Sequence, residues 1–232
     1  VGAGSSGLMA AADALELGGT FGIPARQVRI VMAGGLPTSS AMPGATEDET
    51  AGLDTALAGL TPNDTVIAVA ASGATPFTVS AARIARSCGA AVIGLANNPG
   101  APLLQAATLP VLLETPPEVL SGSTRLGAGT AQKIALNTMS TLMAVALGHV
   151  HDGMMITLTA DNAKLRARAL GIVMTAAGQD EDAAARALDA SDGRVKTAIL
   201  LCAGARTPAE ADALLKEHDG HLRAALGCLD KQ

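Results

Sequence analysis

The sequence predicts a doubly wound α/β sandwich built on a parallel sheet, followed by a helical C-terminal region. Aliphatic runs rich in β-branched residues alternate with Ala- and Leu-rich stretches, as they do when helices cover both faces of a parallel sheet. After Gly153 the β-branched runs end, and short segments rich in Ala, Leu, Asp and Arg follow, separated by glycines. We therefore expect one domain over residues 1–153 and a helical region over residues 154–232.

The elements of the first domain follow from the aliphatic runs and the turn signals between them. The predicted strands cover residues 28–33, 65–70, 91–95 and 109–113. The predicted helices cover residues 6–17, 47–57, 77–87 and 101–107, with turn-forming residues at 61–64 and 97–100. Residues 123–147 contain no proline and keep a helical period, which predicts a long helix whose small residues permit close packing across the sheet. In the C-terminal region, Ser191-Asp192, Thr207-Pro208 and Asp219-Gly220 are predicted caps or turns between short helices.

The composition excludes several classes of protein. The chain has 232 residues, a net charge of -5 and neither Trp nor Tyr, so it lacks the positive charge and the stacking side chains on which nucleic-acid binding rests. Its apolar runs are shorter than the roughly 20 residues that span a bilayer, so we expect no membrane anchor. Cys88, Cys202 and Cys228 lie far apart without the spacing of a disulfide framework or a zinc site, which favours a reducing cytoplasm.

A glycine-rich loop stands at the beginning of the sequence. Such loops normally follow a strand, so we expect a strand and a helical segment to precede Val1 in the full protein. Gly2, Gly4 and Gly7 match the G-x-G-x-x-G pattern of dinucleotide-binding folds. In such folds an acid at the end of the next strand holds the ribose. The predicted strand at 28–33 runs into residues 33–35 without an acid, so a nicotinamide cofactor is not favoured.

Two hydroxyl-bearing loops predict a phosphate site instead. Ser5 and Ser6 lie at the start of the first predicted helix, and Ser72 and Thr75 lie between a strand and the helix that begins at Pro76. Free N–H groups at helix starts, together with hydroxyls, can hold a phosphate without a lysine. Either loop alone is more often a capped helix start, but both are expected at the carboxyl edge of one parallel sheet, where ligands bind. A phosphorylated small molecule is the predicted ligand.

A third Ser-rich segment, residues 117–125, opens the predicted long helix and carries the resemblance to a known family. Together with residues 71–76 and 128–133, it resembles the sugar isomerase (SIS) family, specifically its N-acetylmuramic acid 6-phosphate etherase branch. Supporting stretches are residues 1–7, 33–35, 136–141 and 162–165. The resemblance implies a three-layer SIS-type fold, and a substrate site with the residues Ser5, Ser6, Gly7, Ser72, Gly73, Thr75, Glu118, Ser121, Ser123 and Arg125.

The resemblance also implies a reaction. Etherases of this family cleave the D-lactyl ether of N-acetylmuramic acid 6-phosphate by elimination and hydration, during recycling of cell-wall amino sugars. A base removes the proton at C2, an acid protonates the departing lactate oxygen, and no metal or organic cofactor is implied. By position, the family's acid aligns with Glu16 and its second catalytic carboxylate with Glu47. The expected partners are a phosphorylated amino sugar and, as SIS domains commonly pair, a second copy of the chain in a homodimer with sites near the subunit boundary.

The residues around the two glutamates are compatible with those roles, although each has a structural interpretation too. Glu16 is expected near the end of a helix among leucines, where the dipole and apolar neighbours would favour its protonated form. Glu47 is expected at a helix start, which favours the carboxylate. Thr46 and Glu49 also match a capping box, and Glu16 could be a solvated helix residue. Glu118 is the reserve candidate, and His149 with His151 are expected at the surface.

The chain departs from the usual pattern of the etherases at several positions. These are Leu8, Gly18, Gly19, Gly44, Ala74, Phe77 and Gly127, where the family usually carries Arg, Pro, Pro, Glu, Arg, Tyr and Lys. Three potential cations are thereby replaced. Two alternatives stay open at this point: a phosphosugar-binding regulator without turnover, similar to glucokinase regulatory protein, and a sugar-phosphate isomerase with a proton-transfer pair around Glu118.

Overall fold

The computed structural model describes residues 1–42, 44–158, 160 and 162–229, and the end of the predicted C-terminal region, 230–232, lies outside the described residues. The chain forms two compact units. The first comprises Val1–Leu15 and Arg29–Thr138, and the second Glu16–Val28 and Met139–Gln232. Both long helices, α1 (Gly4–Phe21) and α5 (Gly127–Ala146), contain a boundary between the units.

A parallel sheet forms the centre of the first unit. Strands β1 (Thr65–Val69), β2 (Ala91–Ala96) and β3 (Leu109–Leu112) pair in that order, with Val66 opposite Val92 and Ile93 opposite Leu109. Helices α3 (Pro76–Ser87) and α4 (Pro102–Ala106) form the crossovers between these strands. The predicted α/β class with a parallel sheet is confirmed. The core is aliphatic and rich in alanine, and includes Val66, Ala68, Val79, Ala82, Val92 and Leu103.

The segment of the first three residues extends this sheet. Gly2 forms parallel bridges with both Met32 and Val69, and the Val69 N–H donates to the Val1 carbonyl oxygen at 2.9 Å. The expectation of a regular strand over residues 28–33 is wrong, since this segment reaches the sheet only through the bridge at Met32. Its partner segment, Val1 to Ala3, is too short for a regular ladder because α1 begins at Gly4.

Several helices differ from their predicted bounds. The expected helix over residues 47–57 is divided into a 3₁₀ turn at Thr46–Asp48 and a single helical turn, α2 (Leu53–Ala56). Gly52, with a φ of 81°, separates the two, because a left-handed residue interrupts a helix. The long helix α5 begins at Gly127, since residues 113–126 form an extended and turning segment.

The second unit is mainly helical. A short antiparallel hairpin, β4 (Val150–His151) and β5 (Met154–Met155), follows α5. Helices α6 (Ala163–Ala177), α7 (Glu181–Ala190), α8 (Val195–Cys202), α9 (Pro208–Glu217) and α10 (Leu222–Leu229) come next, and a 3₁₀ turn at Ala25–Gln27 completes the unit. The predicted cap at Thr207 is confirmed, because its hydroxyl accepts from the Glu210 N–H at 3.1 Å. The core includes Ile156, Val173, Ala198, Ile199, Leu200 and Leu222.

Two side chains of the second unit hold the end of α1. The main-chain carbonyl oxygen of Phe21 accepts from the Thr157 hydroxyl at 2.8 Å and lies 2.7 Å from Nδ1 of His149. A carbonyl only accepts, so His149 carries its proton on Nδ1 here. No helix among the described residues is long and apolar enough to cross a membrane.

Candidate functional site

The two hydroxyl-bearing loops lie side by side in the first unit. α1 begins directly after the segment that pairs with β1, and residues 70–75 follow β1 itself. The buried Ser6 hydroxyl oxygen accepts from the Ala71 N–H at 3.2 Å. This bond joins the first turn of α1 to the loop after β1, so both helix starts are at the carboxyl edge of one sheet, as predicted from the alternation of strands and helices.

Glu47 lies against the start of α1. A Cβ atom built on Gly4 would be 2.5 Å from Oε1 of Glu47, and Gly4 has a φ of 52°. A side chain at Gly4 would therefore displace the Glu47 carboxylate, and the positive φ itself favours glycine. The helix dipole and the free N–H groups of the first turn favour a negative charge at this point.

The 3₁₀ turn that carries Glu47 packs against α3. The expected capping box of Thr46 and Glu49 is wrong, because the turn begins after Ala45 and has no side-chain cap. The reason is the division of the predicted helix, which leaves Glu49 as the residue that ends the turn. Glu47 is exposed and has no hydrogen-bond partner among the side chains that the structure describes.

The remaining residues of the first loop have different environments. Ser5 is half-buried in the first turn of α1, and its hydroxyl has no hydrogen-bond partner among the described residues. Gly7 is buried, and its N–H donates to the Ala3 carbonyl oxygen at 2.9 Å. Of these groups, the Ser5 hydroxyl is the one best placed for a ligand, while Ser6 and Gly7 hold the turn in place.

The loop after β1 presents hydroxyls at the start of α3. Thr75 directly precedes Pro76, and its half-buried side chain makes no capping bond. The exposed Ser72 hydroxyl accepts from the Ala74 N–H at 3.2 Å. Gly73 is buried with a φ of 65°, and a Cβ atom there would be 2.8 Å from Cβ of Ala96. Ser72 and Thr75 are therefore presented on a tightly packed loop beside the uncapped end of α3.

The third segment, residues 117–125, lies before α5. Oε1 of the half-buried Glu118 accepts from the Ala128 N–H at 3.2 Å, so this carboxylate caps the first turn of α5. Ser121 and Arg125 are exposed, and Ser123 is half-buried. Glu118 therefore occupies the position at which the start of α5 would otherwise attract an anion.

Asn97 and Gln132 form a buried amide pair that no motif of the sequence predicts. Asn97 directly follows β2, and Gln132 lies on α5. Nε2 of Gln132 donates to Oδ1 of Asn97 at 2.9 Å. Nδ2 of Asn97 donates to the Leu113 carbonyl oxygen at 2.8 Å. The Asn97 N–H donates to the Ala71 carbonyl oxygen at 2.9 Å. The carboxyl edge of the sheet is thus joined to α5 by hydrogen bonds.

Glu16 and the two histidines belong to the second unit. Glu16 is exposed, and α1 continues past it to Phe21 instead of ending near it as expected. On this helix Glu16 lies about three turns after Gly4, which corresponds to roughly 18 Å along the helix axis. The expected surface position of the histidines is wrong for His151, which is buried with Nε2 at 3.5 Å from Oδ2 of Asp152. His149 is half-buried because the end of α1 covers it.

Within the part of the chain that the structure describes, no group of three or more His, Cys, Asp or Glu side chains is arranged to hold a metal ion. The side chains gathered at the carboxyl edge are hydroxyls, amides and carboxylates. Hydroxyls and helix starts bind phosphate, and a carboxylate can move a proton. The arrangement can therefore bind a phosphorylated molecule and remove a proton from it.

Comparisons with known proteins identify the family. The SIS domain family matches residues 40–126. The N-acetylmuramic acid 6-phosphate etherase of Deinococcus radiodurans is 48% identical over 229 residues, which cover 98% of this chain and 75% of that protein. The proteins of the same name from Geobacillus thermodenitrificans and Streptomyces avermitilis are 45% and 43% identical over 228 residues, covering 97% of this chain and 77% and 73% of theirs. The resemblance read from the motifs is confirmed, and the chain belongs to the N-acetylmuramic acid 6-phosphate etherase family.

Proposed function

We propose that this protein is a carbon–oxygen lyase that cleaves the D-lactyl ether of N-acetylmuramic acid 6-phosphate, giving N-acetylglucosamine 6-phosphate and D-lactate. The observation that carries the proposal is the position of the Glu47 carboxylate against Gly4, at a helix start that is hydrogen-bonded to the neighbouring hydroxyl loop. A proton acceptor and two phosphate-binding helix starts then share one edge of the sheet. Family membership supports the same substrate.

The phosphate is held by the starts of α1 and α3. Ser5, Ser72 and Thr75 provide hydroxyls, and the first turns of the two helices provide N–H groups without partners inside the helix. Ser6, Gly7 and Gly73 shape the loops, and Ser121, Ser123 and Arg125 complete the substrate site from the segment before α5. Glu118 holds the start of α5, consistent with its bond to Ala128.

The reaction is an elimination followed by a hydration. Glu47 accepts the proton from C2 of the open-chain sugar, the bond between C3 and the lactyl oxygen breaks, and an acid protonates the departing lactate. Water then adds its hydroxyl group to C3 of the unsaturated aldehyde, and a proton returns to C2. The carboxylate suits the first step because it lies against the start of α1, beside the proposed phosphate site.

We propose that the acid, Glu16, comes from a second copy of the chain. Glu16 lies about three turns after Gly4 on α1 and belongs to the second unit, whereas Glu47 belongs to the first. A homodimer in which each copy supplies one carboxyl group to its neighbour brings the two groups together.

The exposed apolar face of α5 supports such a homodimer. Ile134 and Leu142 are each 62% exposed, and Val145 is 48% exposed. These positions recur along one side of the helix, and apolar stripes of this kind mark protein interfaces. A second copy of α5, packed through small and aliphatic side chains, is the proposed occupant.

The test is an assay of D-lactate released from N-acetylmuramic acid 6-phosphate. Wild-type protein should release D-lactate, and both Glu16→Ala and Glu47→Ala should lose this activity. After the two variants are mixed under conditions that exchange subunits, about a quarter of the wild-type activity should return, because half of the dimers regain one intact site. Binding of the sugar without release would favour a regulator, and release of an isomerised sugar would favour an isomerase.

We also propose that the protein acts in the cytoplasm. Cys88, Cys202 and Cys228 are free thiols, as expected in a reducing compartment. Cell fractionation with an antibody against the protein would test this proposal, and recovery from an extracellular or oxidising compartment would contradict it.

A further inference from the structure

The amide pair of Asn97 and Gln132 stands at a junction of the first unit. Gln132 is fully buried on α5, and Asn97 is buried at the end of β2. From Asn97, hydrogen bonds reach the ends of two neighbouring segments: the main chain of Ala71 after β1 and the carbonyl oxygen of Leu113 after β3. Ala71 is in turn bonded to Ser6 at the start of α1.

The fold satisfies only one end of the Gln132 amide. Its Oε1 is buried and has no hydrogen-bond partner among the described residues, a property it shares there only with Oγ1 of Thr78. A buried acceptor without a partner destabilises a fold, and an apolar side chain of the same length would avoid this loss. What Gln132 gains over such a side chain is its bond to Asn97 at 2.9 Å.

The bond between Gln132 and Asn97 connects two segments that carry proposed substrate-binding residues. On one side, Asn97 holds the main chain of Ala71, next to Ser72 and Thr75. On the other side, Gln132 lies on α5, whose first turn is capped by Glu118 and follows Ser123 and Arg125. The amide pair therefore fixes where the loop with Ser72 and Thr75 lies relative to the start of α5.

We propose that Asn97 and Gln132 are positioning residues that align the hydroxyl loop after β1 with the start of α5. The inference rests on the proposed function for its kinetic consequence, but its structural part is independent of the substrate. Both side chains are buried and act through the segments that they join. Small displacements of a bound substrate lower the rate of the chemical step by up to about 100-fold, while the groups that bind the phosphate remain in place.

The first test uses Gln132→Met, which keeps the length of the side chain and removes the donor. The expected result is a fall in kcat of about 10- to 100-fold with a change in KM of less than about threefold. Hydrogen–deuterium exchange of the wild type and the variant should show faster exchange in both residues 71–75 and residues 118–128. Ser191→Ala, which removes a buried hydroxyl in the second unit, is the control, and it should lower the melting temperature without lowering kcat.

A second variant separates positioning from loss of folding. Gln132→Glu preserves the size, and its protonated form can donate to Oδ1 of Asn97, whereas its ionised form cannot. Relative to wild type, kcat of this variant should rise as the pH is lowered from about 8 to about 6, since burial favours the protonated carboxyl.

The outcomes distinguish the two proposals. A wild type that releases no D-lactate would overturn the proposed function. Unchanged exchange in residues 71–75 and 118–128 of Gln132→Met would overturn the positioning role whatever the substrate. So would a kcat within twofold of wild type, or an equal fall in kcat in Ser191→Ala.

Discussion

Nδ1 of His149 donates to the main-chain carbonyl oxygen of Phe21 at 2.7 Å, at the residue where α1 ends. The imidazole is half-buried, and burial, the nearby Lys196 and His221 lower its pKa, although the bond to Phe21 acts in the opposite direction. A neutral imidazole with its proton on Nδ1 is therefore part of the folded second unit.

This relationship predicts how stability depends on pH. In the unfolded chain His149 takes up a proton near its ordinary pKa of 6.5, while in the folded chain it does so only at lower pH. Between the folded-state and unfolded-state pKa values, the unfolded state holds more protons. The contribution of His149 to the free energy of unfolding should therefore fall as the pH drops through 6.5, and it should be constant above that pH. Urea unfolding of wild type and His149→Gln across this range measures the effect. The glutamine keeps a donor for Phe21 without titrating, and an identical pH slope in both proteins would contradict the prediction.

A substitution at Gly4 should separate backbone strain from displacement of Glu47. Gly4→Ala places a methyl group against Oε1 of Glu47, whereas Gly59→Ala, also at a positive φ, meets no atom within 4 Å. Both variants should lose about 1 kcal/mol of stability, because alanine disfavours the left-handed region. Only Gly4→Ala should also lower kcat/KM, by about tenfold or more, as the carboxylate is displaced. Equal kcat/KM in the two variants would show that Glu47 does not act from this position.

Removing the hydroxyl of Thr75 should weaken binding and leave the chemical step intact. In Thr75→Val, one hydrogen bond to a charged phosphate is lost, which corresponds to about 1.5–3 kcal/mol and a rise in KM of about tenfold or more. The matched control is Thr55→Val, at an exposed position on α2. Steady-state kinetics of both variants provide the measurement, and a fall in kcat at unchanged KM would assign Thr75 another role.

The apolar face of α5 should determine the oligomeric state. Leu142→Glu introduces a charge on this face, and we expect it to convert the proposed dimer to monomers because a buried unpaired charge opposes association. Leu36→Glu, at an exposed leucine in the loop after Met32, should leave the proposed dimer intact. Sedimentation velocity distinguishes the species. If both variants stay dimeric and active, the interface lies elsewhere.

Much of the first unit could be predicted from the sequence because its strands are short aliphatic runs bounded by turns. β1, β2 and β3 lie where the runs at 65–70, 91–95 and 109–113 place them. The segment at 28–33 is also rich in aliphatic residues, yet only Met32 pairs, because the partner segment is too short for a regular ladder.

The candidate site was harder to predict because contacts between distant residues leave no local signal. Ser5, Thr75 and Glu47 could be singled out from motifs, which are local. Asn97 was part of a predicted turn and Gln132 one polar residue in a long helix, and nothing in the spacing of these two residues indicates that they meet. The hydrogen bond that the Ser6 hydroxyl accepts from Ala71 likewise has no local signal, which is why the sequence alone places Ser6 among the ligand-binding residues.

Gly73 has a consequence for the thermodynamics of ligand uptake. It packs so closely against the methyl groups of Ala96 and Ala101 that a Cβ atom would not fit, so the fold itself holds the loop that carries Ser72 and Thr75 in shape. A preformed loop loses little conformational freedom when an anion arrives. Calorimetric titration with inorganic phosphate should accordingly give a heat-capacity change close to zero, since almost no apolar surface is newly buried and no segment folds.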